Sequence, residues 1–396
     1  MKFNNFFPAQ TGDFTINHHS TDALAGLPYQ LELELKNNAV SAMLKASGLK
    51  ISPAPIVPSP LSRQYRTTSK RRVFFDRGKV ILHFGRKPCK EAVAFSNLEP
   101  ASHIEIYQYL QKKLSMPQNF KAASALNYCI IRGSYTEHAL IFNTRMLSAD
   151  IIRIFKAVSN DLPKHIPAVK SIFLYVDETA SDYYLEAERP AKGISFKKMY
   201  GPEFLALKLD NKKFLYSPIS FSQINESILP VFKNKFMEYL TPEANDILLD
   251  IYCGYGLWSL LYGSIFKNVW GTELSAESVK SAINNAKFHY PDKKFHYETA
   301  FVTAEALRAK MPPPRRSHEW ILLDPPRQGC APGVLEYLIS RRPGKIFHMF
   351  CGADEIIPAL EIYLANNCRI EAVIPFDFFP GTINIEALAV ITPPEK

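Results

Sequence analysis

Asp246-Ile-Leu-Leu-Asp-Ile251, running straight into Tyr252-Cys-Gly254-Tyr-Gly256-Leu257-Trp-Ser259, is the stretch whose reading decides the fold of this chain. The first six residues are an apolar run bounded by a turn signal, which predicts a strand buried on both faces. The two glycines beyond it let the backbone turn tightly and approach a ligand, and the helix expected behind them offers a positive N-terminus. Ser259 stands where a dinucleotide fingerprint carries its third glycine, so the loop alone does not define that ligand. A second strand, Val269-Trp-Gly-Thr-Glu273, ends in a carboxylate 23 residues after Asp250, close to the offset of about 20 at which an acid meets ribose hydroxyls. Together the strands predict a nucleotide-like ligand at their carboxyl ends, held at its ribose by Glu273. The alternative is an acid that caps the helix starting near Ser275.

Downstream, Trp320-Ile-Leu-Leu-Asp324-Pro-Pro-Arg327 is another buried strand, stopped by an acid and two prolines. In an open α/β sheet its loop shares the edge of the glycine loop, which places Asp324 and Arg327 at the crevice. A third strand, Lys345-Ile-Phe-His-Met-Phe350, leads into Cys351 at a predicted helix N-terminus, where amide dipoles favour the nucleophilic thiolate. The closing segment, Phe376-Asp-Phe-Phe-Pro380-Gly-Thr-Ile-Asn384-Ile-Glu386, turns into a strand whose apolar run is interrupted by Glu386. A carboxylate flanked by Ile385, Ala387 and Leu388 is costly without a partner or a task.

Upstream the composition changes. The chain has 396 residues, 47% of them hydrophobic, enough for two or three domains and against a disordered or fibrous protein. The character shifts near residue 215, giving an N-terminal segment 1–52 without a readable period, an α+β region 53–215 and a parallel, helix-flanked α/β domain 216–396. Four prolines in Pro53-Ala-Pro-Ile-Val-Pro-Ser-Pro60 predict a stiff extended connector. Between Leu61 and Lys90, ten basic residues face one acid, Asp76, an excess of +9 that equals the net charge of the whole chain. The window includes Arg63, Arg66, Lys70, Arg71, Arg72, Arg77, Lys79, Arg86, Lys87 and Lys90. Two short strands joined at Arg77-Gly78 would present these cations on a hairpin, which points to phosphate contacts of a nucleic acid, with Tyr65 available to stack. Further on, a helix is expected at Ile104–Leu114 and strands at Leu126–Ile131, Ala139–Phe142, Ser171–Val176 and Tyr183–Ala187.

The six cysteines are at least 17 residues apart, which disfavours a zinc ribbon or a contiguous iron–sulfur cluster and reads as free thiols. No apolar stretch of about 18 residues and no leader pattern occur, so a cytoplasmic protein without a membrane span is expected.

The ordered set Asp250-x-Tyr252-Cys253-Gly254-x-Gly256, Glu273, Asp324-Pro-Pro-Arg327, Cys351 and Phe379-Pro-x-Thr-x-x-x-Glu386 resembles the RNA (uracil-5-)-methyltransferase family. Ser220-Phe-Ser-Gln223-Ile-Asn225 resembles that family's FxQxN motif, and the region from Ser59 resembles its central domain. The resemblance implies a Rossmann-like class I methyltransferase domain with a mostly parallel seven-stranded sheet, preceded by an α+β RNA-binding domain. It implies S-adenosyl-L-methionine as cofactor, held by Gln223, Tyr252, Gly254, Gly256, Glu273 and Asp324. Cys351 would be the nucleophile and Glu386 the base. Arg327, with Arg63, Arg66, Arg71 and Arg72, would contact tRNA or rRNA, and neither a metal nor an iron–sulfur cluster is expected. A monomer is expected. The chain departs from the family pattern at Gly352-Ala353, usually Asn-Pro, at Asn384, usually His, and at Leu257, usually a small polar residue. Those departures keep open a second reading, an RNA-binding protein or RNA chaperone with the same fold and weak or no catalysis.

Overall fold

The computed structural model describes residues 2–18, 20–84, 96–179 and 195–394. Arg86, Lys87, Lys90 and the expected strand Tyr183–Ala187 lie outside them. The chain forms two compact units, one of residues 63–208 and 215–226, the other of residues 1–62, 209–214 and 227–396. The segment before residue 63 is therefore part of the unit that carries the glycine loop, which differs from the division at 52 and 215 expected from composition.

In chain order the elements are helix α1 (Tyr29–Ala46), strands β1 (Ser69–Asp76) and β2 (Lys79–His83), helix α2 (Ala101–Leu114), β3 (Leu126–Gly133), β4 (His138–Thr144), α3 (Ala149–His165), β5 (Val169–Val176) and β6 (Ser195–Tyr200). There follow α4 (Leu229–Met237), β7 (Ile247–Ile251), α5 (Leu257–Tyr262), β8 (Asn268–Glu273), α6 (Ala276–His289), β9 (Lys294–Thr299) and α7 (Ala304–Lys310). The last are β10 (Glu319–Leu323), α8 (Val334–Ser340), β11 (Lys345–Phe350), α9 (Ile356–Ala365), β12 (Arg369–Phe376) and β13 (Glu386–Thr392).

The central unit holds a six-stranded sheet in the order β2-β1-β3-β4-β5-β6. Only β4 and β5 run parallel, which requires a crossover, and α3 supplies it. Ile151, Phe155, Val158 and Leu162, spaced three or four apart, form the buried face of α3, and Ser148 caps its start by accepting the amide of Ile151. The expected basic hairpin forms, with β1 antiparallel to β2 and Arg77 and Gly78 at its turn, both at positive φ.

Two expectations for that hairpin are corrected. Arg71 is 0% exposed and its guanidinium grips Glu99 bidentately at 2.6 and 3.0 Å, under the ring of Phe84. Strand alternation turns it inward, so it cannot meet a phosphate. Tyr65 is also 0% exposed and presents no face for stacking. Arg63, Arg66 and Arg72 are half-buried, Arg72 donating to the Tyr128 hydroxyl at 2.5 Å, while Arg77 and Lys79 are the fully exposed cations at the turn.

In the other unit, seven strands lie in the order β9-β8-β7-β10-β11-β13-β12. The first five run parallel and β13 is antiparallel to both of its neighbours. This is the mostly parallel seven-stranded sheet that the resemblance implied, in the parallel, helix-flanked α/β domain expected from the sequence. Strands β7 and β10 are buried at every position, as their unbroken apolar runs require. Ile247, Leu249, Ile251, Ile321 and Leu323 share one core with α8, α9 and the inward face of α1. An aromatic cluster adds Phe232, Phe236, Trp258, Tyr262 and Phe347, with ring centroids 4.3–4.6 Å apart for Phe236–Tyr262, Phe236–Phe347 and Phe232–Trp258. The proline-rich connector is extended, and Ala54 and Val57 hydrogen-bond Val373 and Pro375 along the outer strand β12, covering that edge. Among the described residues no helix is long and apolar enough to cross a membrane.

Arg71→Met should lower the stability of the chain by about 3–5 kcal/mol, because Glu99 is left buried without its counter-charge, whereas Lys79→Met at the exposed turn should change it by less than about 0.5 kcal/mol. Urea unfolding of the two variants beside the parent decides this. Equal midpoints would show that the Arg71 guanidinium is not a structural cation.

Candidate active site

The strand order reverses between β7 and β10, and ligands of open α/β sheets bind outside the carboxyl ends at such a point. The residues predicted there converge. Gly254 and Gly256 adopt φ of +53° and +79°, and a Cβ on Gly256 would sit 3.1 Å from Ala282, Leu260 and Tyr297, so only glycine fits the start of α5. Tyr252, at φ +67°, is in a region that a bulky residue occupies at a cost, as happens where surrounding structure holds a functional loop. Glu273 accepts the Gly254 amide at 3.2 Å and the Ser275 amide at 2.9 Å, which fixes its carboxylate beside the glycine loop. The cap of α6 is the Ser275 hydroxyl, which accepts the Ser278 amide. Glu273 is thus not the capping group.

Asp324 lies at the centre. Its Oδ2 accepts the Trp258 indole N–H at 3.1 Å, and its Oδ1 accepts the Cys351 thiol at 3.1 Å. The β11–β13 pairing sets Phe350 opposite Ala387, so the next step along each strand brings Cys351 and Glu386 together. Glu386 is 3% exposed, and its Oε2 has no hydrogen-bond partner. Arg327 is exposed, with its guanidinium 5.9 Å from the centre of the Phe379 ring.

The electrostatics correct one expectation. Burial, then the negative fields of Asp324 and Glu386, push the Cys351 thiol well above its ordinary pKa, and Arg327 only partly offsets them. The terminal amides do not prevail over desolvation, and the thiol keeps its proton in the free protein. Burial also raises Glu386 well above the ordinary carboxylate range, with Asp324 adding to the shift and Arg327 opposing it. Asp324 is raised by burial, and its bonds from Cys351 and Trp258 pull it part of the way back.

Two residues of the site were quoted in the motifs without a role. Asp250 is fully buried, and burial lifts its pKa to about 7, with the side chain and backbone of Ser259 holding it part of the way back. Its signal was the same as that of Glu386, an acid interrupting an apolar strand. Trp258, the donor to Asp324, carried no signal beyond its position after the glycines. Gln223 belongs to the central unit, where it is 7% exposed, beside the exposed ring of Phe221. The buried carboxyl of Asp250, the anchored Glu273 and the two left-handed glycines suit a ligand that carries a ribose and a positive charge.

Comparison with known proteins agrees with this geometry. The family model described as tRNA (Uracil-5-)-methyltransferase matches residues 187–392. An uncharacterised RNA methyltransferase of Oceanobacillus iheyensis is 26% identical over 382 residues, covering 93% of this chain and 80% of the relative. One from Nanoarchaeum equitans is 25% identical over 369 residues, covering 91% and 75%. Among solved structures, the tRNA (uracil-54, C5)-methyltransferase of Pyrococcus abyssi, in complex with S-adenosyl-L-homocysteine, superposes with a TM-score of 0.69 at 21% identity, over 95% of this chain and 86% of that one. That likeness shows the fold, and with a family model spanning more than half of its length this chain belongs to the tRNA (uracil-5-)-methyltransferase family.

Proposed function

We propose that the protein methylates carbon 5 of a uridine in RNA, with S-adenosyl-L-methionine as the methyl donor. The observation that carries this reading is the meeting of Cys351, Asp324 and Glu386 at the strand ends, one thiol and two carboxyls in a family whose reaction needs a nucleophile and a base. Glu273 would hold the ribose of the cofactor, the loop Tyr252–Gly256 its backbone side, and Asp250 and Asp324 would offset its sulfonium. Gln223 is assigned to the same ligand by its motif alone. When bound, the cofactor supplies an electrophilic methyl group and a positive charge.

Carbon 5 of uracil is a weak nucleophile, so a soft nucleophile must first add to carbon 6. The Cys351 thiol already points its proton at Asp324, which can accept it as the sulfur–carbon bond forms. The ring then carries the electrons that take up the methyl group at carbon 5, and the pair of the methyl–sulfur bond that breaks stays with the donor sulfur, leaving a neutral thioether. Glu386 removes the carbon 5 proton, the electron pair returns to the ring, and the sulfur–carbon bond breaks to release the thiol. Because Glu386 is held above the ordinary carboxylate range, it is a stronger base once ionised than an exposed glutamate. The uridine must leave any stack to reach a half-buried thiol. Arg63, Arg66 and Arg72, with the exposed Arg77 and Lys79, are proposed to meet the RNA backbone, and Arg327 the reacting nucleotide.

Labelled S-adenosyl-L-methionine with total RNA from cells lacking this protein should yield 5-methyluridine, and Cys351→Ala should reduce it by at least about 10⁴-fold. Label in the RNA without 5-methyluridine, or an active Cys351→Ala, would refute the mechanism. Cofactor binding without any label would favour the RNA-binding reading.

The raised thiol also has a pH signature. Alkylation of Cys351 in the free protein, followed by mass spectrometry of its peptide, should be slow at neutral pH and accelerate as pH rises, because only the thiolate reacts. Asp324→Asn removes a negative field and should move that curve to lower pH. A curve moved to higher pH would mean that Asp324 serves the thiolate rather than the thiol.

A further inference from the structure

The segment before residue 63, which has no readable period in the sequence, touches both loops that carry the reacting groups. On α1, Tyr29, Glu32 and Lys36 are three and four residues apart and share one face. Lys36 Nζ donates to Asp377 Oδ1 at 2.6 Å and to the Phe379 carbonyl at 3.1 Å. Glu32 Oε2 accepts the Gly381 amide at 2.7 Å, and the Gly381 carbonyl accepts the Leu24 amide at 2.9 Å. The Tyr29 hydroxyl accepts the Ser59 amide at 2.7 Å and lies where burial, then the field of Asp377, raises its pKa. Glu32, Lys36 and Asp377 are all 0% exposed. All but the Ser59 bond fall on residues 377–381, the turn that ends five residues before Glu386. On the other loop Asp354, three residues beyond Cys351, accepts the Phe3 amide at 2.6 Å and the Lys2 ammonium at 3.2 Å.

A buried ion pair is rarely better for stability than apolar residues of the same volume. What it provides is direction: a charge removed from water can be satisfied in only one arrangement of the chain. The turn 377–381 lies between β12 and β13; backbone bonds tie its two ends, the Asp377 amide to the Val57 carbonyl and the Gly381 carbonyl to the Leu24 amide, and the side chains of α1 hold it between those points. We infer that Glu32, Lys36 and Tyr29 are positioning residues for Glu386, holding the 377–381 turn so that the carboxyl meets the carbon 5 proton. This rests on the reaction proposed above.

The test separates the steps. Capture of 5-fluorouridine RNA needs Cys351 and methyl transfer but not Glu386, because fluorine replaces the proton that Glu386 would remove. Release of natural RNA needs Glu386 as well. Glu32→Ala and the paired Lys36→Met/Asp377→Leu, which removes both members of the ion pair together, should therefore capture 5-fluorouridine RNA at the parent rate within about twofold. On natural RNA with the cofactor they should accumulate an SDS-stable methylated adduct and release 5-methyluridine about 10²-fold more slowly, the loss expected of a misplacement near 1 Å. Glu386→Gln should show the same accumulation, and Glu32→Gln, which keeps an acceptor for Gly381, should recover most of the release rate. Capture and release falling together, or neither falling, would reduce the segment to a structural role and overturn the inference. A parent enzyme that captures no 5-fluorouridine RNA would sink the functional reading, and this inference with it.

Discussion

The hydrogen-bond register of β7 with its two parallel neighbours is the constraint on which the site depends. Ile251 pairs with Thr272 on one side and Leu323 on the other, so the three strands end at one level and their loops open into one crevice. A slip of one residue would turn every side chain to the opposite face. The crevice contacts follow from this register: Gly254 donates to Glu273, Asp324 donates its amide to Ile251, and Trp258 reaches Asp324 from the first turn of α5. The reversed strand β13 then adds what a fully parallel sheet could not. By running antiparallel beside β11 it brings the start of one strand to the end of the other, and so sets Glu386 beside Cys351.

That convergence gathers Asp250, Asp324, Glu386 and the Cys351 thiol where water is scarce. Desolvation is the largest influence on each of the four, and it acts in one direction, towards the protonated form. Arg327 offsets it for Cys351 and Glu386 without prevailing. Burial therefore makes the charged form of each group costlier in the free protein than it would be in water. A cationic ligand would change the balance for all four groups at once, stabilising their charged forms. In the proposed reaction the thiol would become reactive when the methyl donor is in place, which limits side reactions of an otherwise nucleophilic cysteine.

The strands were legible because burial on both faces leaves its trace as an unbroken apolar run, and each loop that follows such a run carries a site residue. Acids that interrupt those runs were equally visible, although only Glu386 and not Asp250 was given a role. What the sequence hid has physical reasons. Helix α1 buries a face built on Tyr29, Glu32 and Lys36, so its inward side looks polar, while Leu31, Leu33 and Leu35 mimic the alternation of a strand. The cations of the hairpin looked like one solvated surface because the partner of Arg71, Glu99, stands 28 residues away, outside any local window. The thiol was misjudged because a helix terminus can be read from sequence, whereas the depth of burial that outweighs it cannot.

The buried ion pairs share one property that stability does not explain. Arg71–Glu99, Arg341–Glu319 and Lys36–Asp377 have side chains at most 2% exposed, and the members of the pairs are 28, 22 and 341 residues apart. Replacing such a pair with apolar side chains tends to be neutral or favourable, so no gain in folding free energy is needed to account for them. Apolar side chains, however, accept many packings of similar energy, while a charge without water accepts only its partner. The first two pairs each have one member on a strand, Arg71 on β1 and Glu319 on β10. Lys36–Asp377 differs in holding a turn between strands, where backbone bonds are fewer than in the sheet and local opening is cheapest. Glu386, the proposed base, opens β13 five residues beyond that turn and is paired with Phe376, so in the role inferred for it the buried pair would add to a position that the sheet register begins to set.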